Sequence, residues 1–115
     1  MEVIRYSVRL FGSLTREVNY STLGKAWTMA QVKLQLESSI AYLIFYDPDK
    51  TKNTPTSRYN DQDGVPTIFI PKDEYIAHLD LLRNEGPVSL ILDEEYWGKG
   101  SLRTGYEDVG EGDLD

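Results

Sequence analysis

From Glu2 to Phe11 apolar and polar residues alternate, with Ile4, Tyr6, Val8 and Leu10 on one side and Arg5, Ser7 and Arg9 on the other. A period of two marks a strand. Gly12-Ser13 signals a turn, and Arg16–Thr22 alternates well enough to be the hairpin partner of the first strand. The stretch Trp27–Ser39 carries two patterns at once. Val32, Leu34 and Leu36 alternate as in a strand, while Val32, Leu36, Ile40 and Leu43 fit a helical stripe. Thr28 and Gln31 have the spacing of a capping box, and Ala, Gln, Lys, Leu and Glu are good helix formers, so the reading is a helix over about 29–38. Ile40–Tyr46 is apolar on both faces, as a central strand is. Asp47–Asp63, with two prolines, reads as a loop, and Val65–Ile70 as a short strand with Pro66 at its start. Asp73–Glu85 has the signals of a helix. Acids stand at its N-terminus, Tyr75, Ile76, Leu79 and Leu82 form its inner face, and Gly86-Pro87 ends it. Val88–Asp93 reads as a last strand.

The order β-β-α-β-β-α-β predicts an α+β fold with a mixed sheet and both helices on one face, the ubiquitin-like β-grasp arrangement. Residues 1–96 form the expected domain, and 97–115, rich in Gly, Asp and Glu, the expected flexible tail.

With 115 residues the chain is sized for one domain. It has no cysteine, which removes disulfides, thiol catalysis and Cys-based zinc sites, and it has a single histidine, His78. Met1–Gly12 alternates and carries Arg5 and Arg9, unlike a signal peptide, so a cytoplasmic location is expected. The net charge of −7 is unevenly spread. Residues 1–60 hold eight basic and five acidic side chains, and residues 61–115 hold four and fourteen. Faces of opposite sign on one small body can dock by electrostatic complementarity.

Asp47-Pro48-Asp49 after Ile44-Phe45-Tyr46, then Ile68-Phe69-Ile70 followed by Asp73-Glu74 at a helix start, resembles the acidic motif of Phox/Bem (PB-one) domains. Gly86-Pro87-Val88-Ser89-Leu90-Ile91-Leu92 is similar to that family's last strand, and the resemblance covers about residues 2–95. A weaker similarity, through Trp27-Thr28-Met29-Ala30-Gln31-Val32-Lys33 before the strand Tyr42–Tyr46, is to the DIX domain. The resemblance implies front-to-back docking. Arg5 and Arg9, helped by Arg16 and Lys33, would form a basic face, and Asp47, Asp49, Asp73 and Glu74 the acidic face of a protein partner or a second copy.

His78 has no nucleophile at a defined spacing and reads as a surface or boundary residue rather than a catalytic one. The four acids lack the loop pattern of a calcium site, and no glycine-rich phosphate loop is present, so no catalytic residue, metal or cofactor is expected. The expected function is a non-catalytic interaction and oligomerisation domain without membrane attachment. Two alternatives stay open. One is a single-stranded nucleic-acid-binding protein with an acidic tail, drawing on eight Tyr, two Trp and the loop cations Lys50, Lys52 and Arg58. The other is an acidic inhibitor that mimics nucleic acid. A strand at Val32–Leu36 would remove the β-grasp order and favour an open sheet that reads nucleic acid.

Overall fold

The longest element is a strand where the capping box predicted a helix: β3 runs unbroken over Lys25–Leu36. Its even-numbered residues, Ala26 to Leu36, are all buried, so the burial of alternate positions outweighed local helix propensity. Thr28 does not cap. Its hydroxyl donates to the Ala26 carbonyl (3.3 Å), and the Gln31 side chain donates to the Tyr20 hydroxyl instead (2.9 Å). The β-β-α-β-β-α-β order therefore gives way, among the described residues, to one in which a single α-helix follows six strands.

The computed structural model describes residues 2–11, 15–53, 55, 58–59, 64–84, 88–91 and 101–104. β1 (Val3–Leu10) and β2 (Arg16–Asn19) do not pair with each other. Both lie antiparallel along one edge of β3, as two segments of an interrupted strand, and a tight turn over 20–24 joins β2 to β3. β4 (Ile40–Tyr46) pairs antiparallel with the other edge of β3. β6 (Pro66–Pro71) lies parallel to β4, and the short β5 (Arg58–Tyr59), within the expected loop, pairs with β6. The sheet order is β1-β3-β4-β6-β5, mixed as expected. A 3₁₀ turn at Lys72–Glu74 leads into α1 (Tyr75–Asn84), slightly shorter than predicted. β7 (Val88–Ile91) pairs with β8 (Ser101–Thr104) in a separate two-stranded sheet, is bridged to the start of the chain at Glu2–Ser89, and places Leu90 in the core that Val3 and Tyr6 of β1 pack against. β8 falls within the segment expected as a tail; the other residues of that segment lie outside the described residues. Among the described residues no helix is long and apolar enough to cross a membrane.

One sheet face carries the main core of Val32, Leu34, Leu43, Phe45, Ile68 and Leu90, with Tyr75 and Leu82 of α1 packed against it. Phe45 is fully buried, edge-on to Tyr75 and His78. Ile76, expected on the inner helix face, is 63% exposed. A smaller cluster on the opposite face joins Tyr20, Leu23 and Ala26 of the β2–β3 hairpin to Ile44, Tyr46 and Phe69. The switch occurs at a bulge at Met29. Thr28 opposes Tyr46 and Ala30 opposes Phe45, so the strand turns over between them.

Candidate functional site: the sheet face turned away from the helix

Residues directly opposed in an antiparallel pair project to the same side. The register places Arg5 opposite Gln35, Ser7 opposite Lys33 and Tyr42, and Arg9 opposite Gln31 and Ile44. These positions alternate with the buried Val32, Leu34 and Leu36, so they face away from the helix. Arg16 opposes Thr28 and joins the same side beyond the bulge. The structure therefore brings the expected basic residues Arg5, Arg9, Arg16 and Lys33 onto one face, and these rows interleave no carboxylate among them. Arg5, Ser7, Lys33 and Gln35 line a shallow hollow of about 300 Å³. Further along, the guanidiniums of Arg9 and Arg16 lie 5.0 and 5.9 Å from the centre of the Phe11 ring. The ring attracts both cations, but they repel each other, and a bound anion would relieve that repulsion.

The floor beside this stripe is held by a directed chain of hydrogen bonds. Gln31 donates to the Tyr20 hydroxyl, which shares a 2.8 Å bond with Thr28, and Thr28 donates to the Ala26 carbonyl. Burial pushes the Tyr20 phenol up, and the bonds to Thr28 and Gln31 and the charge of Arg9 only partly offset this. Tyr20 also meets Phe69 edge to face at 5.2 Å, clamping the hairpin end across the sheet.

The expected acidic face is altered by one lysine. Because β4 and β6 are parallel, the segments that leave them emerge side by side, and Asp47 and Asp49 gather at the same end as Asp73 and Glu74. Asp49, Asp73 and Glu74 are exposed, but Asp47 is only 5% exposed. Its Oδ1 accepts the Asp49 N–H at 2.9 Å and its Oδ2 meets Lys72 Nζ at 3.3 Å. Burial alone would push its carboxyl up. The Asp49 and Lys50 N–H groups and Lys72 outweigh that and hold it below the usual carboxylate range. Asp47 is thus tied into the fold by the Asp49 N–H and Lys72, while Asp49, Asp73 and Glu74 remain exposed. His78 Nδ1 donates to the Glu74 carbonyl at 2.7 Å, which fixes its ring on the helix.

Trp27, which the sequence offers only through the DIX similarity and its tryptophan count, is held in place by its backbone. Its carbonyl accepts the Asp47 N–H at 2.8 Å, and its N–H donates to the Thr51 hydroxyl at 3.1 Å. These bonds bring residues 47–53 and Pro55 across the hairpin and leave a cleft beside the indole. The signal available was Lys50 and Lys52 close after the Asp-Pro-Asp turn, without a pattern to connect them to Trp27.

Comparison of the chain with protein-family models, curated proteins and solved structures finds no match.

Proposed function

We propose that this chain is a non-catalytic binding domain that holds a single-stranded nucleic acid on the sheet face turned away from α1, alongside the hairpin cluster. The observation that carries the reading is the grouping of Arg5, Arg9, Arg16 and Lys33 on one face without an interleaved carboxylate. Arg5 and Arg9 lie four positions apart on one strand, so their Cα atoms are separated by ~14 Å, a span suited to an extended chain of phosphates rather than to one small anion. Half-buried Tyr42 and Phe11 offer rings in the same region, and base stacking on such rings is worth ~1–3 kcal/mol each. The net charge of −7 opposes encounter, so affinity must come from short-range contacts on this face. Fluorescence anisotropy of a labelled oligothymidylate at increasing salt tests it. Four neutralised phosphates predict a slope of log K against log salt of about −3. Reversal of Arg5 and Arg9 to Glu should abolish binding without loss of the folded circular-dichroism spectrum. A flat titration at low salt, or a reversed variant that binds as the parent does, refutes the reading.

A second reading keeps the docking mechanism in reduced form, with the basic face meeting exposed Asp49, Asp73 and Glu74 of another copy or relative. It is favoured by the exposure of these three acids at one end of the molecule. Light scattering against concentration, at low and high salt, should then show salt-sensitive association that the double reversal of Asp73 and Glu74 to Lys removes.

A further inference from the structure

We propose that the cleft beside Trp27 is a second binding site, one that takes a nucleotide: an aromatic base carrying a phosphate. It extends the nucleic-acid reading to the other side of the hairpin, but its residues are separate from the sheet face, so either site can fail alone.

The hairpin register sets the walls. Glu17 opposes Trp27 and Asn19 opposes Lys25, so Glu17, Trp27 and Lys25 share one side, opposite to buried Ala26 and Thr28. Residues 47–53 and Pro55 close the remaining side. Asp47 and Thr51 grip the Trp27 backbone, Thr51 N–H donates to the Asp47 carbonyl at 3.0 Å, and Pro55 lies against Gly24. The cleft left between them has a volume of about 420 Å³, within the ~300–1,000 Å³ range of small-ligand sites. Trp27 is half-buried, and Lys25, Lys50 and Lys52 stand on the rim, with Glu17 the one carboxylate among the described lining residues. Lys50 Nζ lies 5.4 Å from the indole centroid and 3.5 Å from the Thr15 hydroxyl.

Each part has a use for a nucleotide. The indole is a stacking platform, and the Lys50 ammonium over it marks where positive charge and a flat ring are both available. Three flexible lysines can meet a phosphate as point charges. Glu17 is placed to accept from the exocyclic amine of a base, so cytosine is favoured over uracil. The same chemistry could come from a free mononucleotide or from one nucleotide of a strand that passes around the β2 edge.

The test uses the full chain with Trp97→Phe, so that Trp27 alone reports, titrated with cytidine monophosphate, uridine monophosphate, inorganic phosphate and an oligocytidylate. A saturable quench by cytidine monophosphate, weaker for uridine monophosphate and absent with phosphate, supports a free-nucleotide site. A quench by the oligocytidylate alone supports a strand-held one. Lys50→Met with Lys52→Met should weaken binding by about tenfold, as loss of two phosphate contacts does, while Glu17→Leu, which leaves no acceptor, should abolish the preference for cytosine and retain binding. Lys33→Glu, on the sheet face, should leave the mononucleotide quench unchanged. The proposal is overturned if no nucleotide quenches Trp27, if phosphate alone gives the same change, or if the double lysine variant binds as the parent does. Loss of oligonucleotide binding in the Arg5/Arg9 reversal with the Trp27 quench intact would show the two sites to be independent.

Discussion

Replacing Asp47 should cost far more than replacing the lysine it meets. The Asp47 carboxylate accepts a short bond from the Asp49 N–H and is almost wholly removed from solvent. A hydrogen bond to a charged group contributes ~1.5–3 kcal/mol. The Lys72 side chain, by contrast, is 38% exposed and the pair is 3.3 Å apart, so screening limits its share to ~0–1 kcal/mol. Asp47→Ala is therefore expected to destabilise by about 2–3 kcal/mol, and Lys72→Met by less than about 1 kcal/mol. Asp47→Asn, which keeps an acceptor for Asp49 N–H but loses the charge, should fall between them. The pH dependence follows from the lowered carboxyl. The unfolded chain takes up a proton on Asp47 at a higher pH than the folded one does. The stabilisation is thus fully present above the unfolded value, ~3.9, and is lost as pH falls through the lower folded value. Urea denaturation of the parent and the three variants, at neutral pH and through the acid range, measures both effects. The gap between parent and Asp47→Asn should narrow as the pH drops. Equal costs for Asp47→Ala and Lys72→Met, or a gap that does not narrow in acid, would refute the reasoning. The same arithmetic makes Asp47 a poor position for a charge reversal aimed at docking, because Asp47→Lys would set a second cation beside Lys72 and unfold the corner.

Tyr20→Phe should cost about 1 kcal/mol by removing the middle of the Gln31–Tyr20–Thr28 chain, seen as a lower urea midpoint. Because burial raises the Tyr20 phenol, the parent should also lose stability as pH rises above about 10, the unfolded value, and the variant should lose less there. Gly24→Ala should lower stability by ~1–3 kcal/mol, read as a drop in Tm. Gly24 has φ +115° and ψ −173°, a region open essentially only to glycine, whereas an added Cβ would meet Pro55 at an ordinary 3.7 Å.

Strands β1, β4 and β6 and the helix at 75–84 are legible as elements because each carries one dominant pattern, bounded by Gly, Pro or acids, but the apolar side of β1 is not buried as its alternation suggests: Ile4, Val8 and Leu10 are exposed. The basic stripe was legible for the same reason: alternation put Arg5 and Arg9 on the polar side of β1 whichever strand it paired with. The segment at 25–36 was misread because Thr28, Gln31 and the good helix formers around them satisfy local rules, and the burial of Ala26 through Leu36 that overrides them is a tertiary fact. β2 was recognised as a strand but given the wrong neighbour. Alternation identifies a strand without naming its partner, and here the break after Phe11 interrupts an edge instead of reversing the chain. Asp47 could be picked out as an acid at a strand end, but its capture by Lys72, 25 positions away, depends on the parallel β4–β6 pairing. Strand β8 lies in a segment whose Gly and acid content read as a tail, and its pairing with β7 is set by contacts that composition does not carry.

The bulge at Met29 gives β3 a double membership that its even alternation conceals. Ala26 serves the hairpin cluster and Ala30 to Leu36 the main core, yet all belong to one continuous strand, with β4 contributing Tyr46 to the first and Phe45 to the second. The two apolar layers therefore share their central covalent members. Neither can open without pulling on a strand that the other holds, so amides on both sides of Met29 should exchange with solvent as one cooperative unit. The side-to-side position of the cationic stripe is inherited from that unit: a one-residue slip at the bulge would turn Lys33 inward and Val32 outward together.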